Sequence, residues 1–156
     1  MLADEPHTVF LCLGMAGNQL AQGWVRKLGI AAAVRLLPVV SSAEVADMLR
    51  ASLISVSPSE HDGIPNTLLE AMGSGCFPIA GDIESAREWI TSGQNGLLLE
   101  PGSPSKWAAG IVAVLRDAEL RRKAAGANRA IILERADAVR IMTQAVELYH
   151  RVMERA

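Results

Sequence analysis

The sequence has few cysteines, little net charge and no long apolar stretch, and each of these features is typical of a particular class of protein. Its 156 residues include only two cysteines, and the net charge is −2. Proteins that coat nucleic-acid phosphates carry a clear basic excess, so we expect no nucleic-acid partner. No stretch approaches the roughly 20 uninterrupted apolar residues of a membrane span, so we also expect no transmembrane segment.

Cysteine usage and the amino-terminal residues point to the same compartment. Cys12 and Cys76 lie far apart in contexts typical of buried strands, and we expect both to be reduced thiols. No cysteine and histidine cluster has metal-ligand spacing, so we expect no metal site. The first residues, MLADEPHTVF, lack the basic start and long apolar run of a secretory signal. We therefore expect a cytoplasmic protein.

Half of the residues are apolar, and a chain of this length can bury a core as one domain. Short continuous apolar runs lie at residues 8–13, 34–37, 53–57, 77–80 and 96–99. Segments with helical spacing separate them at residues 19–28, 43–50, 67–72 and 84–90. From residue 104 the pattern is helical to the end, with breaks predicted near Asp117 and Gly126.

This alternation predicts an α/β fold. Continuous apolar runs are typical of strands buried on both faces, and the βαβα order implies parallel pairing with right-handed crossovers. We therefore predict five parallel strands in one Rossmann-like, doubly wound parallel sheet. Residues 1–136 would form the α/β core of a single domain, and residues 137–156 would form a carboxyl-terminal helix.

The predicted carboxyl-terminal helix has an apolar face, which Val139, Met142, Val146 and Tyr149 form. Three outcomes are open for this face. It could pack on the core of the chain, bind a second copy of the chain, or remain exposed as an association surface.

Ligands of doubly wound sheets bind where the carboxyl ends of strands meet the amino-termini of helices. The loop at residues 57–70, SPSEHDGIPNTLLE, carries the most reactive side chains at that edge. Proline suits a first helical turn, and the free amides and dipole of a helix start suit a phosphate or pyrophosphate. Asp62 precedes this start, and Glu70 lies about one turn inside the helix. A ligand with both phosphate and vicinal hydroxyls therefore fits.

Structural explanations compete at the same residues. Glu70 could close a capping box with Thr67, and Asp62 could be a turn residue before Gly63. The glycines within residues 14–17 could belong to a nucleotide-binding loop. Because a complete G-x-G-x-x-G pattern is missing there, a tight strand exit is favoured.

Several spaced motifs occur in order along nearly the whole chain. They are PS at 58–59, DG at 62–63, LEAM at 69–72, Gly75, PI at 78–79, GDIESAREWI at 81–90, GQNGLL at 93–98, PG at 101–102, DAELR at 117–121 and NRAIILERAD at 128–137. This series resembles the nucleotide-sugar site of retaining GT-B glycosyltransferases of the group 1, or family four, type. That family has a Glu-x7-Glu motif, where this chain has Asp62 and Glu70 in the same spacing.

The resemblance implies that the chain is the carboxyl-terminal, donor-binding half of such an enzyme. Glu70 would hold the ribose hydroxyls of the donor. Asp62, the candidate catalytic residue, would lie by the donor sugar and the scissile bond. The donor-binding residues between them, whose amides would meet sugar and phosphate, are Gly63, Ile64, Pro65, Asn66 and Thr67. The loop that corresponds to the base-contacting segment of the family contains Val39 and Val40.

The activity implied is transfer of a hexosyl group from a UDP- or GDP-sugar to an acceptor with retention of configuration. The family needs no metal, and we expect no other cofactor. An alternative is a non-catalytic nucleotide-sugar-binding module, or one subunit of a split transferase that pairs with a separate acceptor chain.

The chain also departs from the family pattern. Asp62 is one methylene shorter than the glutamate of the family, and Pro65 removes one amide donor. The first strand of this half, with the basic pair that clamps the diphosphate, and the amino-terminal acceptor domain are expected before residue 1. We therefore expect the chain alone to be inactive, with that domain or a partner chain needed for transfer.

Overall fold

Strands and helices alternate along most of the chain, as the sequence predicts. The computed structural model describes residues 1–61, 63 and 66–154. In chain order the elements are β1 (Phe10–Cys12), α1 (Gln19–Leu28), β2 (Val34–Leu36), α2 (Ser42–Ala51), β3 (Ile54–Ser57), α3 (Asn66–Ser74), β4 (Phe77–Gly81), α4 (Glu84–Arg87), β5 (Leu97–Leu99), α5 (Pro104–Arg116), α6 (Ala118–Arg135) and α7 (Ala138–Met153).

All five strands pair in parallel, but they form two sheets instead of the single sheet expected. β1 pairs with β2, and β3, β4 and β5 form a second sheet in that order. Within the described part of the chain, one edge of β1 and one edge of β3 therefore have no neighbouring strand. The prediction of a parallel α/β fold is confirmed, whereas the prediction of one continuous sheet is wrong.

The hydrophobic core surrounds β4. All five residues of this strand are buried, and it has a neighbouring strand on each side. Phe77 and Ile79 pack against Trp107 and the rest of the α5 face, whereas Ala80 faces a cluster that includes Met72 of α3. Helices thus cover both faces of the β3–β5 sheet. By contrast, β1, α1, β2 and α2 contain no fully buried residue.

Both cysteines are free, in agreement with the expectation of reduced thiols. Cys76 is completely buried, and burial raises the pKa of its thiol to about 11. Because the thiolate is the reactive form, this cysteine is a packing residue of the core.

The helical region after residue 104 divides at Asp117, as predicted. The Asp117 carboxylate accepts a hydrogen bond from the N–H of Leu120 and so caps the start of α6. The break predicted near Gly126 is wrong, because α6 continues through this residue. Arg121 closes the end of α5, since its guanidinium donates to the carbonyl groups of Val114 and Leu115.

Helix α7 starts where the tail was expected to start, with Asp137 as its capping residue. The helix has no buried residue, and its apolar side chains are exposed: Val139, Ile141, Met142, Val146, Leu148, Tyr149, Val152 and Met153. Of the three outcomes considered for this face, packing on the core of the chain is therefore excluded.

A pair of buried amides joins α6 to the loop before β5. The Asn95 side chain donates to Asn128 Oδ1 at 2.9 Å, and the Asn128 side chain donates to the Asn95 carbonyl at 2.7 Å. Asn95 also donates to the Trp89 carbonyl and accepts from the Thr91 N–H. Since each buried polar atom of this network has a partner, the network stabilises the packing of α6.

We predict that Asn128→Ala lowers the free energy of unfolding by about 2–3 kcal/mol, because it leaves buried groups of Asn95 unsatisfied. Denaturant unfolding measures this change. Gln144→Ala, which removes an exposed amide from α7, is the matched control and should change stability by less than about 0.5 kcal/mol. Equal losses in the two variants would show that the amide network contributes little.

Candidate functional site

The loops that follow the strands carry the predicted site residues. Within each sheet the strands are parallel, so the loops after β1 and β2 lie at one edge, as do those after β3 and β4. These are residues 13–18, 37–41, 58–65 and 82–83. None of the four loops contains a lysine or an arginine.

The loops after β1 and β2 are hydrogen-bonded to each other. The N–H groups of Met15 and Ala16 both donate to the Leu37 carbonyl, at 2.8 and 2.9 Å, and that of Gly14 donates to the Pro38 carbonyl at 3.2 Å. Gly14 has φ +69°, a conformation that favours glycine. The geometry agrees with the tight strand exit favoured from the sequence.

The start of α2 is closed by its own side chains. Ser41 and Glu44 form a complete capping box, in which the Glu44 carboxylate accepts from both the hydroxyl and the N–H of Ser41. These hydrogen bonds hold the pKa of Glu44 below its usual value. A carboxylate therefore already occupies the positive end of this helix dipole.

The start of α3 presents exposed polar groups. Asn66, Thr67 and Glu70 are all exposed, whereas Leu68 and Met72 anchor the opposite face of the helix in the core. No acidic residue lies in the first turn of α3, unlike that of α2. The amino-terminal end of α3 therefore faces solvent while its buried face fixes the helix in place.

The alternative role of Glu70 in a capping box is not observed. Helix α3 begins at Asn66, so Thr67 lies inside the helix, and no hydrogen bond joins the side chains of Thr67 and Glu70 to each other's backbone. Among the described residues, the Glu70 carboxylate has no hydrogen-bond or ion-pair partner. It is therefore available to accept hydrogen bonds from a ligand.

Three of the predicted site residues, Asp62, Ile64 and Pro65, lie outside the described residues. Gly63 is exposed, and a Cβ added to it would meet nothing within 4 Å. The backbone at this position is thus open to close approach from solvent. Of the predicted base-contacting residues, Val39 is 87% exposed and Val40 is half-buried.

A close contact that the sequence did not reveal holds the site loop against β4. A Cβ on Gly81 would overlap the carbonyl oxygen of Ser59. Gly81 ends β4, and Ser59 lies in the loop that leads to α3. Glycine is therefore needed at the end of β4 so that the site loop can cross it.

The charged residues after β4 form their own pair. Arg87 Nε lies 2.7 Å from Asp82 Oδ1, and this hydrogen bond lowers the pKa of Asp82. The guanidinium of Arg87 is thus engaged by a carboxylate next to the strand end.

Two further properties concern metals and membranes. Within the described ranges, no group of three or more Asp, Glu, His or Cys side chains is placed to hold a metal ion. In the same part of the chain, no helix combines the length and the apolar composition that crossing a bilayer requires.

The family assignment is supported by sequence comparison over most of the chain. Residues 3–130 match the family model for glycosyl transferases group 1. The chain belongs to this family, as the motif series indicated. A D-inositol 3-phosphate glycosyltransferase of Thermobispora bispora is 31% identical over 98% of this chain and 40% of its own length. One of Geodermatophilus obscurus is 37% identical over 72% of this chain and 24% of its own length.

Solved structures of the same fold include isolated and full-length proteins. The C-terminal domain of the glycosyl transferase group 1 family protein LpcC from Francisella tularensis has a TM-score of 0.75 and 23% identity, over 88% of this chain and 74% of its own. Anabaena Alr3699/HepE in complex with UDP-glucose has a TM-score of 0.84 and 23% identity, over 94% of this chain and 42% of its own. The chain therefore has the Rossmann-like fold of a GT-B carboxyl-terminal domain and spans less than half of the full-length relatives.

We predict that Gly81→Ala displaces the site loop and lowers the free energy of unfolding by about 1–3 kcal/mol, because the added methyl group overlaps Ser59. Amide NMR shifts of residues 59–61 and denaturant unfolding measure the two effects. Gly126→Ala is the matched control: its methyl group meets nothing within 4 Å, and the change should stabilise α6 by about 0.5–1 kcal/mol. Unchanged amide shifts at residues 59–61 in Gly81→Ala would contradict the contact.

Proposed function

We propose that the chain is the donor-binding domain of a retaining glycosyltransferase. It binds a nucleotide-diphospho-sugar, a UDP- or GDP-sugar, from which a hexosyl group passes to an acceptor. The UDP-glucose bound by HepE and the glycosyltransferase activity named for the inositol-phosphate relatives support this class of donor and reaction. Because the chain spans 40% of the first of these relatives, the activity of the complete protein is part of the proposal.

The observation that carries the proposal is the exposed carboxylate of Glu70, which has no hydrogen-bond or ion-pair partner among the described residues and lies close to the exposed start of α3. Free amides and the helix dipole favour a diphosphate at such a start. A carboxylate one turn further along accepts hydrogen bonds from two vicinal hydroxyls, as on ribose. The two features together match the charged and the hydroxylated parts of a nucleoside diphosphate.

The roles in this proposal follow the family motif. Glu70 holds the ribose hydroxyls, and the amides of residues 63–67 contact the sugar and the diphosphate. Asp62 lies by the transferring sugar and acts as the catalytic carboxylate. Stabilisation of the departing diphosphate and orientation of the sugar lower the barrier, and transfer retains the anomeric configuration without a metal.

The complete enzyme needs cationic groups that the four site loops do not contain. Arg87, which follows β4, is engaged by Asp82. We infer that the strand expected before residue 1 pairs with the free edge of β1 or β3 and carries the basic pair to the diphosphate. The free strand edges support this inference, since an added parallel strand would end at the same edge as the site loops.

The acceptor in this proposal binds a separate amino-terminal domain or partner chain. The exposed apolar face of α7 supports a further contact of this kind, either with that domain or between two copies of the chain. The alternative function, a non-catalytic nucleotide-sugar-binding module or a subunit of a split transferase, uses the same site residues. The composition of the complete protein distinguishes these possibilities.

We predict that two carboxylate variants separate the parts of the donor. Glu70→Gln should weaken binding of UDP and of UDP-glucose alike, by about tenfold, because both contain ribose. Asp62→Asn should weaken binding of UDP-glucose more than that of UDP, because its partner is the sugar. Calorimetry on the 156-residue chain measures each affinity.

Glu134→Gln, on the exposed surface of α6, is the matched control and should bind both ligands like the original chain. The same small loss of affinity in all three variants would contradict the roles assigned to Glu70 and Asp62. Failure of the original chain to bind UDP, UDP-glucose, GDP or GDP-mannose would overturn the proposed function itself.

We also predict that the purified 156-residue chain binds donor but does not transfer sugar, because its site loops form one wall of the proposed cleft. The chain is incubated with radiolabelled UDP-glucose and myo-inositol phosphate, and the rate of formation of glycosylated product is measured. The same rate is measured for a complete group 1 enzyme as a comparison. Product formation at the rate of the complete enzyme would show that the half-enzyme proposal is wrong.

A further inference from the structure

A cavity lies at the edge of the β3–β5 sheet opposite to the site loops. Its volume is about 580 Å³, which is within the range of small-molecule sites. One wall is the loop at residues 91–95, which precedes β5 and therefore lies at the amino-terminal edge of this parallel sheet. The other wall is α6 with its capping residue Asp117. Because the site loops follow the strands, this cavity is separate from the candidate donor site.

Buried hydrogen bonds fix the two walls of the cavity to each other. Asn95 lines the cavity, is 5% exposed, and donates to Asn128 of α6 at 2.9 Å. The loop is also closed on itself, since the Gly93 N–H donates to the Gly96 carbonyl at 2.8 Å and the Thr91 N–H donates to Asn95 Oδ1 at 2.7 Å. The cavity is therefore formed before a ligand arrives, and binding does not have to order the loop.

Side chains on both walls bring hydrogen-bonding groups to the cavity. These are Thr91, Gln94, Asp117 and Lys123. The Asp117 carboxylate accepts the Leu120 N–H through Oδ1, and Oδ2 has no partner in the part of the chain that the structure describes. The Thr91 hydroxyl and the Gln94 amide also have no hydrogen-bond partner within the described ranges. Acceptors and donors are thus both available to a ligand.

The charges around the cavity balance. The Glu119 carboxylate accepts hydrogen bonds from the Arg122 guanidinium at 2.7 to 3.0 Å. Lys123 Nζ lies 3.4 Å from the same carboxylate, and an exposed ion pair of this kind contributes little, so the ammonium can donate to a ligand. Its positive charge is matched by that of the Asp117 carboxylate. With no excess of either sign, the cavity favours a neutral ligand over an ion.

We propose that this cavity binds an uncharged saccharide. Each hydroxyl of a sugar both donates and accepts, so neighbouring hydroxyls match a carboxylate, an ammonium and an amide on one surface. The C–H groups of the sugar match the apolar strip of α6, which Leu120, Ala127 and Ile131 form at helical spacing. The inference goes beyond the proposed function, because the sugar bound here is not the one that is transferred.

The test is a titration of the ¹⁵N-labelled chain followed by amide NMR. The saccharide probes are maltose, cellobiose, methyl α-mannoside and N-acetylglucosamine, each added separately, with UDP and inorganic phosphate in parallel titrations. We expect at least one saccharide to shift the amides of residues 93–95 and 123–127, with a Kd of about 1 mM, and to leave those of Thr67 and Glu70 unchanged. Inorganic phosphate should leave the cavity amides unchanged.

Variants of the polar groups give a second readout. Lys123→Ala and Gln94→Ala should each weaken saccharide binding about threefold or more and leave the affinity for UDP unchanged. Arg129→Ala is the matched control, because it removes an exposed cation from α6 outside the cavity, and it should leave both affinities unchanged. All three side chains are exposed, so each variant should keep the melting temperature of the original chain.

The outcomes separate this inference from the proposed function. If none of the four saccharides shifts the cavity amides at about 20 mM, the inference is overturned, and donor binding stands wherever UDP still shifts Thr67 and Glu70. If phosphate shifts the cavity amides and the saccharides do not, the cavity is an anion site and the inference is likewise wrong. Saccharide binding that both Lys123→Ala and Gln94→Ala leave intact would also contradict it. If saccharides bind here and UDP binds nowhere, the proposed function fails and the inference stands.

Discussion

The packing of β4 is the constraint on which the rest of the structure depends. Its five residues are buried, it pairs with a strand on each side, and its side chains enter both apolar clusters. Such a strand needs helices on both faces and glycine where another backbone crosses it. Gly81 provides that crossing at the site end, so the residue that completes the core also fixes the loop to α3.

Packing is uneven between the two sheets. The β3–β5 sheet lies in a core of large side chains, whereas β1, α1, β2 and α2 contain no fully buried residue. Leu20, Trp24 and Leu28 recur every four residues on α1, and all three are exposed. Burial of apolar area is the main stabilising contribution, so the first half of the chain gains less from folding than the second. Within the described residues, β1 and β3 each have an edge without a neighbouring strand. These unpaired edges contribute to the exposure, because side chains beside them have no strand to pack against.

Local sequence signals predicted most of the elements but not their assembly. Helix α1 and the start of α7 follow from spacing and capping residues, which act within one turn. Gly126 was expected to end a helix, yet an isolated glycine costs α6 only about 1 kcal/mol, less than the packing of the helix supplies. The division into two sheets, the contact between Gly81 and Ser59, and the bonds from Arg121 to α5 join residues that no local pattern relates.

The candidate site was predicted in part for the same reason. The predicted helix start, with Glu70 about one turn inside the helix, is observed because helix position follows from the local sequence, and the binding roles of these residues stay predictions. The motif did not reveal that the loops after β1 and β2 are joined by hydrogen bonds, since these bonds connect residues far apart in the sequence. The helix starts also differ in a way that the motif does not describe. Ser41 and Glu44 close the start of α2, whereas no acidic residue lies in the first turn of α3.

The loops after β1 and β2 and the start of α3 expose surfaces of different polarity. The loops after β1 and β2 are hydrogen-bonded to each other and expose the side chains of Met15 and Val39. The start of α3 instead exposes polar groups and the carboxylate of Glu70, which has no partner among the described residues. A nucleoside diphosphate has a flat, weakly polar end and a charged, hydroxylated end. In the proposed function, Val39 and Val40 face the weakly polar end of such a ligand, and the start of α3 faces its charged, hydroxylated end.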